Sequence, residues 1–167
     1  GNGLTAISTT VLQIARAYVG LATGRLPELR LVQSVGGAPL PRREDSLPLS
    51  ATSLEAVRRS LRRVTLQGTA KGTGLDPESL GFHLACKTGS ADYQPGQVSD
   101  GAGGWEEGMR KHGWVAGWFP ADKPEAIVVV YVHDTSTTSS HVATHVMRQF
   151  LSSSAVRQLP RRPTGRR

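Results

Sequence analysis

The sequence predicts an α+β fold: three antiparallel strands with helices packed on them. Three observations carry this. Apolar residues recur at spacings of three and four in two stretches of the first half, Val11–Leu21 and Leu54–Val64, which is helical spacing. Two strand-like runs, His112–Phe119 and Ala126–His133, are joined by Pro120-Ala121-Asp122-Lys123-Pro124. That link is too short for a parallel crossover, so the pair must form an antiparallel hairpin. A further strand, Phe82–Cys86, precedes them and a helical pattern follows them, so strands and helices are segregated rather than alternating. A chain of 167 residues suits one domain with a real core.

Each element has its own signal. Gly1-Asn2-Gly3 reads as a turn, and Thr5, Ser8 and Thr9 are candidate helix caps. A helix is expected over about residues 9–22, with Val11, Leu12, Ile14, Ala15, Tyr18, Val19 and Leu21 on a broad apolar face and Gly24 as its stop. Residues 26–35 read as short and extended, interrupted by Pro27, and residues 36–48 as loop. Ser50 or Ser53 can cap a second helix over 54–65. Leu54, Val57, Leu61 and Val64 share one of its faces; Arg58, Arg59, Arg62 and Arg63 fill the other, which reads as solvated. The stretch Gly68–Gly74 breaks the helix; it imitates a phosphate loop but lacks the Gly-Lys-Thr/Ser order. Residues 92–111, rich in glycine and carrying Trp105, are expected to be a long loop. The last strand is apolar at almost every position, which predicts burial on both faces. Ser139 or Ser140 is expected to cap a final helix through Val142, Val146, Met147, Phe150 and Leu151.

Composition bounds the function. Of the net charge of +7, +5 lies in Arg157, Arg161, Arg162, Arg166 and Arg167. Residues 157–167 therefore read as a basic, disordered tail, and residues 1–156 as the folded part with little excess charge. Nucleic acid is not an expected partner. Cys86 is the single cysteine, so no internal disulfide exists, and its apolar neighbours mark it as a core residue. The longest apolar run, Ala126–Val132, is far too short to span a bilayer. His141 and His145 stand four apart, as zinc ligands can, but Val142 holds the place of the glutamate in His-Glu-x-x-His. No metal or cofactor is expected. His133-Asp134 lies among many serines, but no Gly-x-Ser-x-Gly elbow exists to present one as a nucleophile.

The chemistry concentrates in Lys87-Thr88-Gly89-Ser90, at the end of the Phe82–Cys86 strand. A cation, two hydroxyls and a residue without a side chain within four positions suit a bound carboxylate. The ammonium supplies charge, the hydroxyls donate, and glycine lets a ligand approach the backbone. Lys-Thr-Gly is also the signature of serine acyl-transfer enzymes that react with β-lactams. Alternation sets Lys87 opposite Thr88 and Ser90. All of them can serve one ligand if the strand is an edge and the ligand lies along it.

In this order the segments resemble the C-terminal half of a penicillin-binding protein transpeptidase domain. Gly1–Tyr18 is similar to the family's glycine-rich turn and helix after its second active-site motif, with Asn2 for the usual glutamine and Thr10 for the usual proline. Gly68-Thr69-Ala70 resembles its Gly-Thr-Ala, and Cys86-Lys87-Thr88-Gly89-Ser90-Ala91 its third motif. Gly113–Pro120 and Ile127–Val132 resemble the two strands that follow. The likeness covers roughly residues 1–151.

The resemblance implies a larger, five-stranded fold and a D-Ala-D-Ala transpeptidase or carboxypeptidase that cross-links peptidoglycan and binds penicillin. It implies Lys87 and Ser90 as catalytic residues. Lys87 organises proton transfer and attracts the substrate carboxylate, and the Ser90 backbone N–H is half of an oxyanion hole. Lys87, Thr88, Gly89 and Ser90 are implied as the binding site for a stem peptide or β-lactam. The site is expected outside the cytoplasmic membrane, held there only through an upstream anchor. One departure matters: no serine in the chain has lysine three residues on, and none has asparagine two on. The family's Ser-x-x-Lys and Ser-x-Asn motifs, with the acylated serine, are therefore not in this sequence. The expected partner is the missing N-terminal half of the domain, without which the apolar edge of the last strand is unprotected. The alternative is a non-catalytic module of the same fold that binds peptidoglycan or a protein partner.

Overall fold

The computed structural model describes residues 9–136 and 139–157. The expected turn at Gly1-Asn2-Gly3 and the tail beyond Arg157 lie outside the described residues. The first helix, α1, is Val11–Thr23. Its cap is Thr10, whose hydroxyl accepts from the Gln13 N–H at 3.2 Å while the Gln13 side chain accepts from the Thr10 N–H at 2.8 Å. Thr-x-x-Gln is a capping-box signature, and it moves the start past the expected Thr9. Gly24, at φ +81°, closes the helix in the left-handed conformation.

The expected extended stretch and loop resolve into small ribbons. β1 (Arg25–Pro27) pairs with β4 (Glu44–Ser46), and β2 (Ser34–Val35) pairs with β3 (Ala38–Pro39). The second helix, α2, runs from Ala51 to Gln67 with Ser50 as its cap, and α3 (Pro77–Leu80) is a single turn capped by Asp76. β5 (Ala85–Ser99), β6 (Trp105–Phe119) and β7 (Ala126–Thr135) form the antiparallel sheet, in the order β5-β6-β7. α4 (Ser139–Leu151) and α5 (Ser154–Arg157) follow. Ser139 and Ser140 thus lie inside the first turn of α4, and the position that would cap it is outside the described residues.

Two expectations change. Residues 92–111 are not a loop: β5 and β6 stay paired as far as Ser99 and Trp105, and only residues 100–104 turn. Asp100 makes that turn, its carboxylate accepting from the N–H groups of Ala102 (2.8 Å) and Gly104 (2.9 Å). The ribbon carries Pro95 and Gly96, which disguise it in the sequence, but Pro95 sits on the outer strand, where a missing N–H is tolerated. The second change is at β7. Only Val128 and Thr135 are buried in it, and the rest of the strand is half-buried or exposed. β7 is the other outer strand of the described sheet.

Helices cover both faces of the sheet. Ala85 and Trp118 pack with Ala22, Leu61 and Ala121 on the side of α1. Cys86, Val115 and Val128 pack with Leu75, Ala143 and Met147 on the side of α4. The backbones of β5 and β6 approach closely at Gly117, where a Cβ would clash with the Ala85 carbonyl and Cys86.

The arginine face of α2 is not simply solvated. Arg58 donates to the carbonyls of Leu21 (2.8 Å) and Ala22 (2.9 Å), two of the unpaired acceptors at the end of α1. Arg62 pairs with Asp122 at 2.8 Å and so ties α2 to the β6–β7 turn. Arg59 and Arg63 are the exposed pair. Arg58→Ala is expected to cost about 1–2 kcal/mol, because it leaves partly buried carbonyls unpaired. Urea denaturation of Arg58→Ala beside Arg59→Ala checks this; the latter should change stability by less than about 0.5 kcal/mol.

Candidate functional site

The Lys87-Thr88-Gly89-Ser90 run lies on β5, which has a neighbour on one side only in the described sheet. Its register is fixed by Lys87 opposite Ala116, Thr88 opposite Val115, Gly89 opposite Trp114 and Ser90 opposite Gly113. Lys87 is exposed and Thr88 is buried, as alternation requires. The Lys87 ammonium donates to the Thr88 carbonyl at 2.8 Å. An ammonium has three donors, so this bond leaves it capacity for a ligand. Ser90 is exposed, two residues beyond Thr88 on the same side of the strand.

Thr88 shows what the sequence left unread. Its hydroxyl lies 2.5 Å from that of Thr69, in the turn after α2. Thr69 is exposed and Thr88 is only 6% exposed, so the pair runs from the motif strand to the surface. One hydroxyl hydrogen makes the bond, and one remains free to donate elsewhere. The run Gly68-Thr69-Ala70 was legible as a helix break but carried no sign of where its hydroxyl would go. Cys86, directly before Lys87, is fully buried, and desolvation pushes its thiol up to about 12. It is inert packing.

Beyond Gly89 the face that carries Lys87 becomes aromatic. Trp114 stacks on Tyr131 at 4.4 Å between ring centroids. His112 lies 4.7 Å from His133 and 4.5 Å from Tyr93, and the Tyr131 hydroxyl meets His133 Nδ1 at 3.0 Å. His133 and Asp134 stand opposite His112 in a register shift of β6 against β7, with Asp134 at φ +51°. Asp134 pairs with Arg110 at 2.5 Å, and its N–H donates to His112 Nδ1 at 3.2 Å. The carboxylate beside His133 is thus occupied in holding the ribbon. Trp105 lies at the far end of that ribbon, nine residues or about 30 Å of strand from Ser90, and does not border the motif. His141 and His145 lie on exposed turns of α4, and the described residues hold no cluster of three or more metal-ligating side chains.

A family model of the penicillin-binding protein transpeptidase domain matches residues 1–152. The chain belongs to that family. No curated protein sequence matches it. Solved structures share the fold at low identity. The D,D-transpeptidase domain of a peptidoglycan glycosyltransferase from Eggerthella lenta is 24% identical with a TM-score of 0.65, covering 91% of this chain and 33% of that one. The transpeptidase domain of Burkholderia pseudomallei penicillin-binding protein 3 is 23% identical with a TM-score of 0.64, covering 97% of this chain and 46% of that one. Penicillin-binding protein 3 of Mycobacterium tuberculosis, complexed with ampicillin, is 21% identical with a TM-score of 0.63, covering 95% and 37%. This transpeptidase-family chain therefore spans between a third and a half of the length of these relatives. No helix among its described residues is long and apolar enough to cross a membrane.

The aromatic cluster gives a pH prediction. The His112 pKa is lowered from its ordinary 6.5, first by desolvation, then by His133, against the opposing pull of Asp134. The folded state then binds fewer protons than the unfolded state between the depressed value and about 6.5, so stability must rise with pH through that window. It is fully present above about 6.5 and lost as pH falls. Melting temperature measured from pH 5 to 7.5 should climb, and His112→Gln should flatten the climb.

Proposed function

We propose that this chain forms the carboxylate-binding side of a peptidoglycan-cross-linking acyl-transfer site that is also open to β-lactams. The observation that carries the reading is the Lys87–Ser90 run on an outer strand, in a chain of the transpeptidase family. A peptide lying along β5 meets the Lys87 ammonium, the backbone at Gly89 and the Ser90 hydroxyl in sequence. Lys87 attracts the terminal carboxylate of a D-Ala-D-Ala stem or the carboxylate of a penicillin. Ser90 donates to it, and the Thr69–Thr88 pair contributes its remaining hydrogen, with Thr69 the nearer to solvent. The Ser90 N–H serves the oxyanion that forms when a serine attacks the carbonyl. Trp114 and Tyr131 line the approach on the Lys87 side.

The nucleophile comes from outside these 167 residues, because the sequence has no Ser-x-x-Lys and no Ser-x-Asn. We infer that the segment carrying them packs with this chain to complete the domain, placed outside the cytoplasmic membrane through an anchor elsewhere in the protein. The same absence favours a second reading, a non-catalytic module that holds a stem peptide or a partner without turnover.

Intact mass after incubation with benzylpenicillin separates the two. The isolated chain should gain no penicilloyl group. A longer protein from the same reading frame, including Ser-x-x-Lys and Ser-x-Asn, should gain one, and Lys87→Ala should slow its acylation by about 10²-fold or more. A frame without those motifs, whose product binds penicillin but is never acylated, would establish the module instead. An adduct on the isolated chain would overturn both readings, since it requires a nucleophile within it.

A further inference from the structure

Two stretches of the sequence have no part in the acyl-transfer reading: the glycine-rich turn Gly68–Gly74, apart from Thr69, and the histidine pair on α4. They meet in space. Lys71, Thr73 and Gly74 on one side, and His141, His145 and Arg148 on the other, line one pocket of about 540 Å³. Residues 141, 145 and 148 are spaced by four and three, so they form a single row along α4, about 10 Å long. α4 covers the face of the sheet that carries Cys86 and Val115, whereas Lys87 belongs to the opposite face. The pocket thus lies away from Lys87, although the turn that lines it also carries Thr69, the partner of Thr88.

Its chemistry is one-sided. None of the described residues that line it is acidic. Among the described residues, neither Lys71 nor Arg148 has an ion-pair partner. The threonine hydroxyls are already committed: Thr73 donates to the Ala70 carbonyl at 2.7 Å and Thr144 to that of His141 at 3.0 Å. What remains facing the pocket is an ammonium, a guanidinium and two imidazoles, from two separate elements. The Arg148 stem lies across the turn. A Cβ on Gly74 would stand 2.5 Å from Arg148 Cδ, and Gly74 has φ +75°, so only glycine lets the arginine stem lie across the loop.

We propose that this pocket binds a phosphoryl group. A planar carboxylate is satisfied by one arginine fork. A tetrahedral phosphoryl group, with acceptor oxygens in several directions, matches cations that converge from two sides. The length of the row fits a diphosphate better than a single orthophosphate. This inference is independent of the acyl-transfer reading and survives its failure.

The test uses the full 167-residue chain with inorganic pyrophosphate, by calorimetry and by amide chemical-shift mapping at low salt. Saturable binding is expected, with shifts at Lys71–Gly74 and along α4. The double variant Lys71→Gln/Arg148→Gln should weaken it at least about tenfold, and Gly74→Ala, which displaces the arginine, should weaken it as well. Co-sedimentation with phosphatidylcholine vesicles, with and without phosphatidylglycerol, separates the sources. Retention only on phosphatidylglycerol, lost in the double variant, assigns the pocket to lipid headgroups. Pyrophosphate binding without retention assigns it to a soluble phosphate. Shifts confined to the arginines of residues 157–167, affinity unchanged in the double variant, or no binding of either kind would overturn the proposal. The shift map on the unmodified chain decides the matter even if a variant fails to fold.

Discussion

Lys87 and Thr88 are neighbours in the chain but belong to opposite faces of the sheet, because successive strand residues alternate. Most of the structure follows from that constraint. The Cys86/Thr88 side must be buried, so it carries core packing toward α4 and a hydroxyl pair with Thr69. The Lys87/Gly89 side continues into Trp114 and the aromatic ladder. A one-residue slip of β5 against β6 would exchange the two sets, turning the Lys87 ammonium toward the α4 side and Cys86 and Thr88 away from it. Gly117 guards against that slip, since its position admits no side chain beneath Ala85 and Cys86.

The sheet and the long helices were legible because burial writes a period into the sequence. α1 and α2 have their apolar residues at helical spacing, and the five-residue link after Phe119 left only a hairpin for β6 and β7. The β5–β6 ribbon was illegible for the complementary reason. Residues 92–99 and 105–111 are held by backbone pairing, an Asp92–Lys111 ion pair at 3.0 Å and the Arg110–Asp134 pair, with little apolar burial to impose a pattern. β7 misled in the other direction. Its valines suggested burial on both faces, but among the described residues it is an outer strand with Tyr131 and His133 in solvent.

The candidate site was half legible. Residue types alone pointed Lys87-Thr88-Gly89-Ser90 toward a carboxylate, and the outer position of β5 supports a ligand lying along it. Thr69 was out of reach, because it is 19 residues away and meets Thr88 only through the turn after α2. Arg58 and Arg62 read as solvent-facing in the sequence, since helical spacing shows which face is polar but not whether a carbonyl or carboxylate waits beside it. In both cases a polar side chain satisfies a distant group, a pairing with no periodic trace.

We propose that the Lys87–Ser90 strand holds a carboxylate by itself, before any nucleophile is supplied. Titrating isotope-labelled chain with the dipeptide D-Ala-D-Ala, and following backbone amide shifts, tests it directly. Saturable shifts are expected at Gly89 and Ser90 in a roughly millimolar range, absent in Lys87→Ala. Shifts that are unchanged in Lys87→Ala, or that fall elsewhere and leave residues 87–90 silent, would contradict it.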